Sequence, residues 1–336
     1  MRTTVFLGRL SLASVLVACA GSARAADWPQ WRGTGGSGVS QETALPERWS
    51  EKDGIRWKAP LPGRGVSGPV IVGGKVYVTS NSGVLQDRLH VLCFDARSGE
   101  RRWERQLSAT GLTACHPKTS MAAPTPAADG ERVCALFATC DLAVFDAEGT
   151  LLWYRALARD YPDVSNQVGM ASSPVLWKGL IILTLETDSD SFALAIDGAT
   201  GQNRWKTPRA KGINWTTPLV VPGEKGAELF LQSRSGLTAY DPQTGEARWV
   251  HADGLDPIAS PIAGGELLLL PGGGVLALRP GSQGARPDVA WKSSKLRAST
   301  ASPLYYEGRV YAVSSAGVLT CADAADGSIL WQERMA

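Results

Sequence analysis

Apolar residues in this chain come in short runs, separated by polar turns rich in glycine, aspartate and proline. Each cycle opens on a pair ending in proline: Gly68-Pro69, Ala123-Pro124, Ser173-Pro174, Thr217-Pro218, Ser260-Pro261 and Ser302-Pro303. A glycine-bearing turn then leads to a stronger apolar run: VYVTS (76–80), VCALF (133–137), IILTL (181–185), ELFLQS (228–233), LLLL (267–270) or VYAVS (310–314). A tight turn precedes a third run such as LTAYD (237–241), and another turn precedes a run ending near a tryptophan. Runs of this length, bounded by turn residues, predict strands. Proline suits a strand's first position, where a ladder N–H is dispensable. No stretch sustains a 3.6-residue period, so no substantial helix is predicted. Four short strands per cycle, in six complete cycles, predict an all-β repeat protein.

The turn before the tryptophan carries the clearest repeat. Asp-x-x-x-Gly-x-x-x-Trp occurs as Asp95-Gly99-Trp103, Asp197-Gly201-Trp205, Asp241-Gly245-Trp249 and Asp323-Gly327-Trp331. Asp146-Gly149-Trp153 has it with one residue fewer. Around Trp291 the turn is longer, with Arg279 at the aspartate position, and Trp57 carries the tryptophan end alone. Successive tryptophans lie 46, 50, 52, 44, 42 and 40 residues apart. The aspartate can accept backbone N–H bonds, and the glycine supplies a positive φ. An indole can fill the gap between neighbouring sheets, provided its N–H finds an acceptor. Two residues before the aspartate stand Cys93, Ala195, Ala239, Ala277 and Cys321, with Val144 as the exception. Small side chains there would leave room for a tryptophan from an adjacent sheet.

The motif Ala-x-Asp-x-x-x-Gly-x-x-x-Trp resembles the tryptophan-docking motif of PQQ-type β-propellers. That family includes quinoprotein dehydrogenases and the outer-membrane assembly lipoprotein BamB. The resemblance spans residues 57–333. ADWPQWRGTGGSGVS (26–40), LPERW (45–49), IRWK (55–58), HPKTSMAAPTP (116–126) and NQVGMASSP (166–174) look like a bacterial, exported BamB-like subgroup. The resemblance implies a PQQ-binding-like propeller of six complete four-stranded blades plus an N-terminal tryptophan strand at Trp57. Family members commonly have eight blades, so the chain reads as truncated by about two. The expected division is a signal peptide at 1–25, an extended segment packed on the propeller at 26–56, and the propeller at 57–336.

Export is read from the first residues. Arg2 and Arg9 precede a short apolar stretch, and Ala23-Arg24-Ala25 makes a small-x-small cleavage site. Leu16-Val17-Ala18-Cys19 offers a competing lipobox with a lipid anchor on Cys19. Either reading places the protein in the periplasm or at the outer membrane. Setting aside the three arginines of 1–25 takes the net charge from +2 to −1, which gives no electrostatic case for nucleic acid. Five cysteines remain beyond Cys19. Cys93 and Cys321 occupy the small-residue slot and read as packing residues, and Cys134 lies in a strand. Cys115 and Cys140 lie in loops on one face, and a disulfide between them is a candidate pairing.

That face gathers the blade-to-blade crossovers and the turns between second and third strands. Its longer, polar loops are where binding is expected. Near the central funnel the candidates are His116, Lys118, Asn166, Gln167, Asn214 and Trp215; strand-end capping is the competing role. Glu186, Asp188 and Asp190 could offer oxygens to Ca²⁺, but they lack the glycine and closing glutamate of an EF-hand loop. The expected function is a non-catalytic, exported scaffold that binds a protein partner in the cell envelope, with no cofactor. The enzymatic alternative is a quinoprotein dehydrogenase with PQQ and Ca²⁺. Against it, the chain has no Cys-Cys pair, no Cys-x-x-Cys-His and no Gly-x-Ser-x-Gly. His90, His116 and His251 fall in three different cycles, and GTGGSG (33–38) neither follows a strand nor opens a helix. A third class is carbohydrate recognition, with Trp28, Trp31, Trp177 and Trp215 as stacking faces; packing of the N-terminal segment is the competing role for Trp28 and Trp31.

Overall fold

Each cycle folds into one antiparallel four-stranded sheet with its strands in sequence order. The computed structural model describes residues 26–43, 45–164, 168–223, 226–281, 285–298 and 300–335. The six sheets are the blades of an all-β propeller, at 70–108, 127–156, 175–208, 219–251, 262–293 and 304–334. The first strands of successive blades touch one another from blade one to blade six, so they surround the axis. The helical content of the described residues is a four-residue turn at Leu157–Asp160 and a 3-10 turn at Thr34–Gly36. No helix among the described residues is long and apolar enough to cross a membrane.

The tryptophan turns explain how the blades join. In all six blades the ladder between third and fourth strands slips one to two residues before the aspartate position, as between Ala195 and Ile196. The bulge re-aims the fourth strand. Trp57, Trp103, Trp153, Trp205 and Trp291 each enter the turn of the following blade. Each indole N–H donates to the carbonyl just after that blade's aspartate: Ala96, Ala147, Gly198, Pro242 and Ala324, at 2.8–3.1 Å. The ring lies flat on the turn's glycine. A Cβ on Gly245 would come within 2.6 Å of the Trp205 ring, and its φ is +74°. The aspartate holds the turn, as where Asp197 Oδ1 accepts the N–H groups of Ala199 and Thr200.

Two expectations about this motif change. The small residues do not make room for a neighbouring blade's indole. Cys93, Ala195, Ala239, Ala277 and Cys321 pair across the ladder with the tryptophan of their own blade. Alternation along the third strand turns the next residue to the other side, where Phe94 stacks on Trp57 at 6.2 Å. Trp57 itself docks without belonging to a strand. Blade five has no aspartate–glycine turn, and Trp249 packs instead against Phe230 at 5.7 Å. Trp331 of the last blade is 40% exposed, against 8% for Trp205.

A second joint runs around the axis. The residue before each proline carries a hydroxyl in blades two to six, and that hydroxyl accepts the N–H of the matching residue one blade earlier. Gly68 donates to Thr125, Thr125 to Ser173, Ser173 to Thr217, Thr217 to Ser260 and Ser260 to Ser302. In blade two the pair that opens the first strand is therefore Thr125-Pro126, not Ala123-Pro124, because the strand begins at Ala127. Ser260→Ala would leave the buried Thr217 N–H without an acceptor. The expected loss is about 1–3 kcal/mol, read as a lowered urea midpoint.

The N-terminal segment crosses this axis. Trp28 bridges to Ile71 of blade one, and Ala128 of blade two donates to the Pro29 carbonyl at 2.8 Å. The turn at Thr34–Gly36 then reaches the first strands of blades four and five. Residues 28–36 thus floor the central channel on one side.

Candidate functional site

Above that floor lies a funnel of about 660 Å³, opening toward the crossover loops. Trp31 and Arg32 form its base, and His116 and Lys118 stand at its rim. Met170, Ala171, Trp215 and Ile258 supply an apolar wall. Between them lie Thr217, Ser260 and Ser302, members of the hydroxyl ring. No aspartate or glutamate is among the described residues that line the funnel.

The local geometry fixes several of these side chains. His116 Nδ1 accepts the Lys118 N–H at 3.2 Å, which leaves the ring proton on Nε2. Trp215 Nε1 donates to the Gly169 carbonyl at 2.9 Å, so it offers the funnel a ring face. Arg32 lies against the Trp31 ring at 5.6 Å and makes no ion pair among the described residues. Burial pulls its guanidinium down to about 10, which still leaves it charged at neutral pH.

Of the residues predicted for this site, His116, Lys118 and Trp215 come together at the funnel. Asn166 and Gln167 lie outside the described residues, as do the export signal and Cys19. Asn214 is placed elsewhere. It is buried at the seam of blades three and four, donating to Glu186 Oε2 at 2.9 Å and to the Gln232 carbonyl at 2.8 Å. Glu186 is not at an acidic tip with Asp188 and Asp190. It is fully buried and bonded to Arg209 at 2.8 Å. Among the described residues no three His, Cys, Asp or Glu side chains gather as a metal site.

The proposed disulfide does not form: Cys115 and Cys140 are both free thiols. They sit on opposite sides of blade two. Cys115 packs in the apolar layer shared with blade one, and Cys140 in the layer shared with blade three. Burial pushes the Cys140 thiol up to about 12, so it is an inert packing group.

The sequence pointed to Trp31 only as a stacking face, and Arg32 and the hydroxyl ring were not among the expected site residues. The ring had a signal, because five of the six residues before the opening prolines bear a hydroxyl once Thr125 is aligned. The floor had none, since only the path of the N-terminal segment brings it to the axis.

The same face carries an apolar patch. Val84 is fully exposed, and Leu85, Leu112 and Val66 are each about half exposed or more. Their loops adjoin. Arg64 bridges to Asn81 and donates to the Pro117 carbonyl, and Ala109 donates to the Asp87 carbonyl at 2.8 Å.

The family model described as outer membrane protein assembly factor BamB matches residues 48–251 and 184–336. BamB from Moraxella catarrhalis is a similar solved structure, with TM-score 0.57 and 18% identity over 82% of this chain and 74% of that one. The quinohemoprotein alcohol dehydrogenase from Comamonas testosteroni is similar with TM-score 0.52 and 15% identity. That match covers 94% of this chain but half of the dehydrogenase. At such identities these likenesses concern the fold. No curated protein matches the sequence.

Proposed function

Since the chain belongs to the family of the outer membrane protein assembly factor BamB, we propose that it is an exported, non-catalytic scaffold that binds a protein partner in the cell envelope. The observation that carries this is the patch at Val84, Leu85, Leu112 and Val66. Aliphatic side chains held in water on adjoining loops of a rigid scaffold mark a protein-binding surface. Apolar side chains are also exposed on outer strands, as at Leu152, Val250 and Val289, but the patch gathers four of them on adjoining loops.

Photo-crosslinking in the living envelope tests this. A crosslinking residue at Leu85 or Leu112 is expected to give a discrete protein adduct, and one at Leu152, on the outer strand of blade two, none. Val84→Asp with Leu85→Asp is expected to abolish the Leu112 adduct while leaving the urea midpoint unchanged. Equal adducts from Leu85 and Leu152 would sink the reading.

The quinoprotein alternative needs carboxylate oxygens to hold Ca²⁺ beside its cofactor. The described residues that line the funnel offer hydroxyls, cations and indoles instead. That donor set does not fit the cation on which this alternative depends.

A further inference from the structure

We propose that the central funnel is a binding site for a carboxylate carried on an apolar or aromatic body. Thr217, Ser260 and Ser302 each accept a backbone N–H from the blade before. Among the described residues their own O–H groups donate to no protein group. His116 likewise spends Nδ1 on the Lys118 N–H and keeps its proton on Nε2. Among the described residues Arg32 and Lys118 are donors with no ion-pair partner. With Thr119 and Thr300, the polar side chains of the funnel offer hydroxyls and positive charge, and among the described lining residues no carboxylate answers them.

A cavity of donors is complementary to a ligand of acceptors. A neutral sugar can pair with the hydroxyls but leaves the charges of Arg32 and Lys118 unanswered. An anion is a good match, and charge-assisted bonds to it are the stronger kind. The remaining walls say what the anion is attached to. Met170, Ala171, Ile258 and the ring faces of Trp31 and Trp215 bury apolar surface, and about 660 Å³ is far more than a bare ion fills. Arg32 at the floor, against Trp31, marks the deep end for the charge.

Two sources share this chemistry: a free aromatic acid, and the C-terminus of a peptide ending in an apolar residue. Neither depends on the patch at Val84, so the scaffold reading and this one can fail separately. The probes are phenylpropionate, an N-acetylated tetrapeptide ending in phenylalanine, the same peptide as its C-terminal amide, and inorganic phosphate. Binding to the full mature chain is followed by tryptophan fluorescence and calorimetry.

At least one of the two carboxylates is expected to bind. A peptide acid that binds tighter than phenylpropionate identifies a chain terminus, and the reverse identifies a small acid. The amide is expected to bind about tenfold more weakly than its acid, the loss of one charge-assisted hydrogen bond. Arg32→Gln is expected to weaken the acid by a similar factor and leave the amide unchanged. The acid–amide comparison on the unaltered protein keeps the test decisive should the floor variant misfold. Equal affinity for acid and amide, phosphate binding as tightly as the acids, or no binding by either carboxylate at about millimolar concentration would each overturn the proposal.

Discussion

Arg209→Ala is expected to destabilise the protein by about 3–5 kcal/mol, measured by urea unfolding. Arg209 and Glu186 form a salt bridge with side chains 4% and 0% exposed. Arg209 also donates to Tyr240 Oη at 3.0 Å and to the Leu231 carbonyl at 3.2 Å, both in blade four. Asn214 ties the other carboxylate oxygen to the same seam. The pair thus staples blade three to blade four. Removing the arginine strands a buried carboxylate, and that desolvation is the larger part of the loss. Glu186→Leu with Arg209→Met should therefore lose less than Arg209→Ala alone, because no orphan charge remains. A double variant as damaged as the single would refute this.

The pH dependence follows from the same carboxylate. Burial pushes the Glu186 carboxyl above its usual range, against the pull of Arg209 and Asn214. A group that holds its proton more tightly folded than unfolded favours the fold in acid, and that contribution is lost as pH rises through its folded value. Without Arg209 the carboxyl is pushed higher still. The deficit of Arg209→Ala should then shrink as pH falls toward the ordinary glutamate range, and a deficit independent of pH would count against a stranded charge.

Trp205→Ala is expected to cost about 3–5 kcal/mol, while Trp331→Ala should change the urea midpoint little. Trp205 is buried in the turn of blade four, its N–H on the Pro242 carbonyl at 3.0 Å. Trp331 has the same place in its repeat but is 40% exposed. Gly245→Ala should reproduce much of the Trp205 loss from the other side of the contact, since a Cβ there would collide with the ring and the backbone is left-handed. Equal effects at Trp205 and Trp331 would show that burial against the following blade is not what the motif supplies.

Of the architecture, the parts written in local spacing were legible. Strand runs, the aspartate–glycine turns and the tryptophan interval each depend on residues within about a dozen positions of one another. The same locality misled at blade two, where two proline pairs lie two residues apart and only the ladder shows which opens the strand. It misled again at Cys115 and Cys140. Their loops share a face, yet a sheet stands between the thiols.

The sequence by itself determined the repeat, its six blades and the indole that joins each to the next, because that chemistry recurs with a fixed period. Only the tertiary structure decided the funnel's contents. Trp31 and Arg32 reach the axis by the path of the N-terminal segment, and Asn214 and Glu186 are drawn into a seam rather than onto a loop tip. Such placements depend on contacts across many blades, which no spacing along the chain encodes. The hydroxyl ring stands between the two cases: periodic in sequence, but shown to link the blades only by the backbone N–H that each preceding blade brings to the hydroxyl of the next.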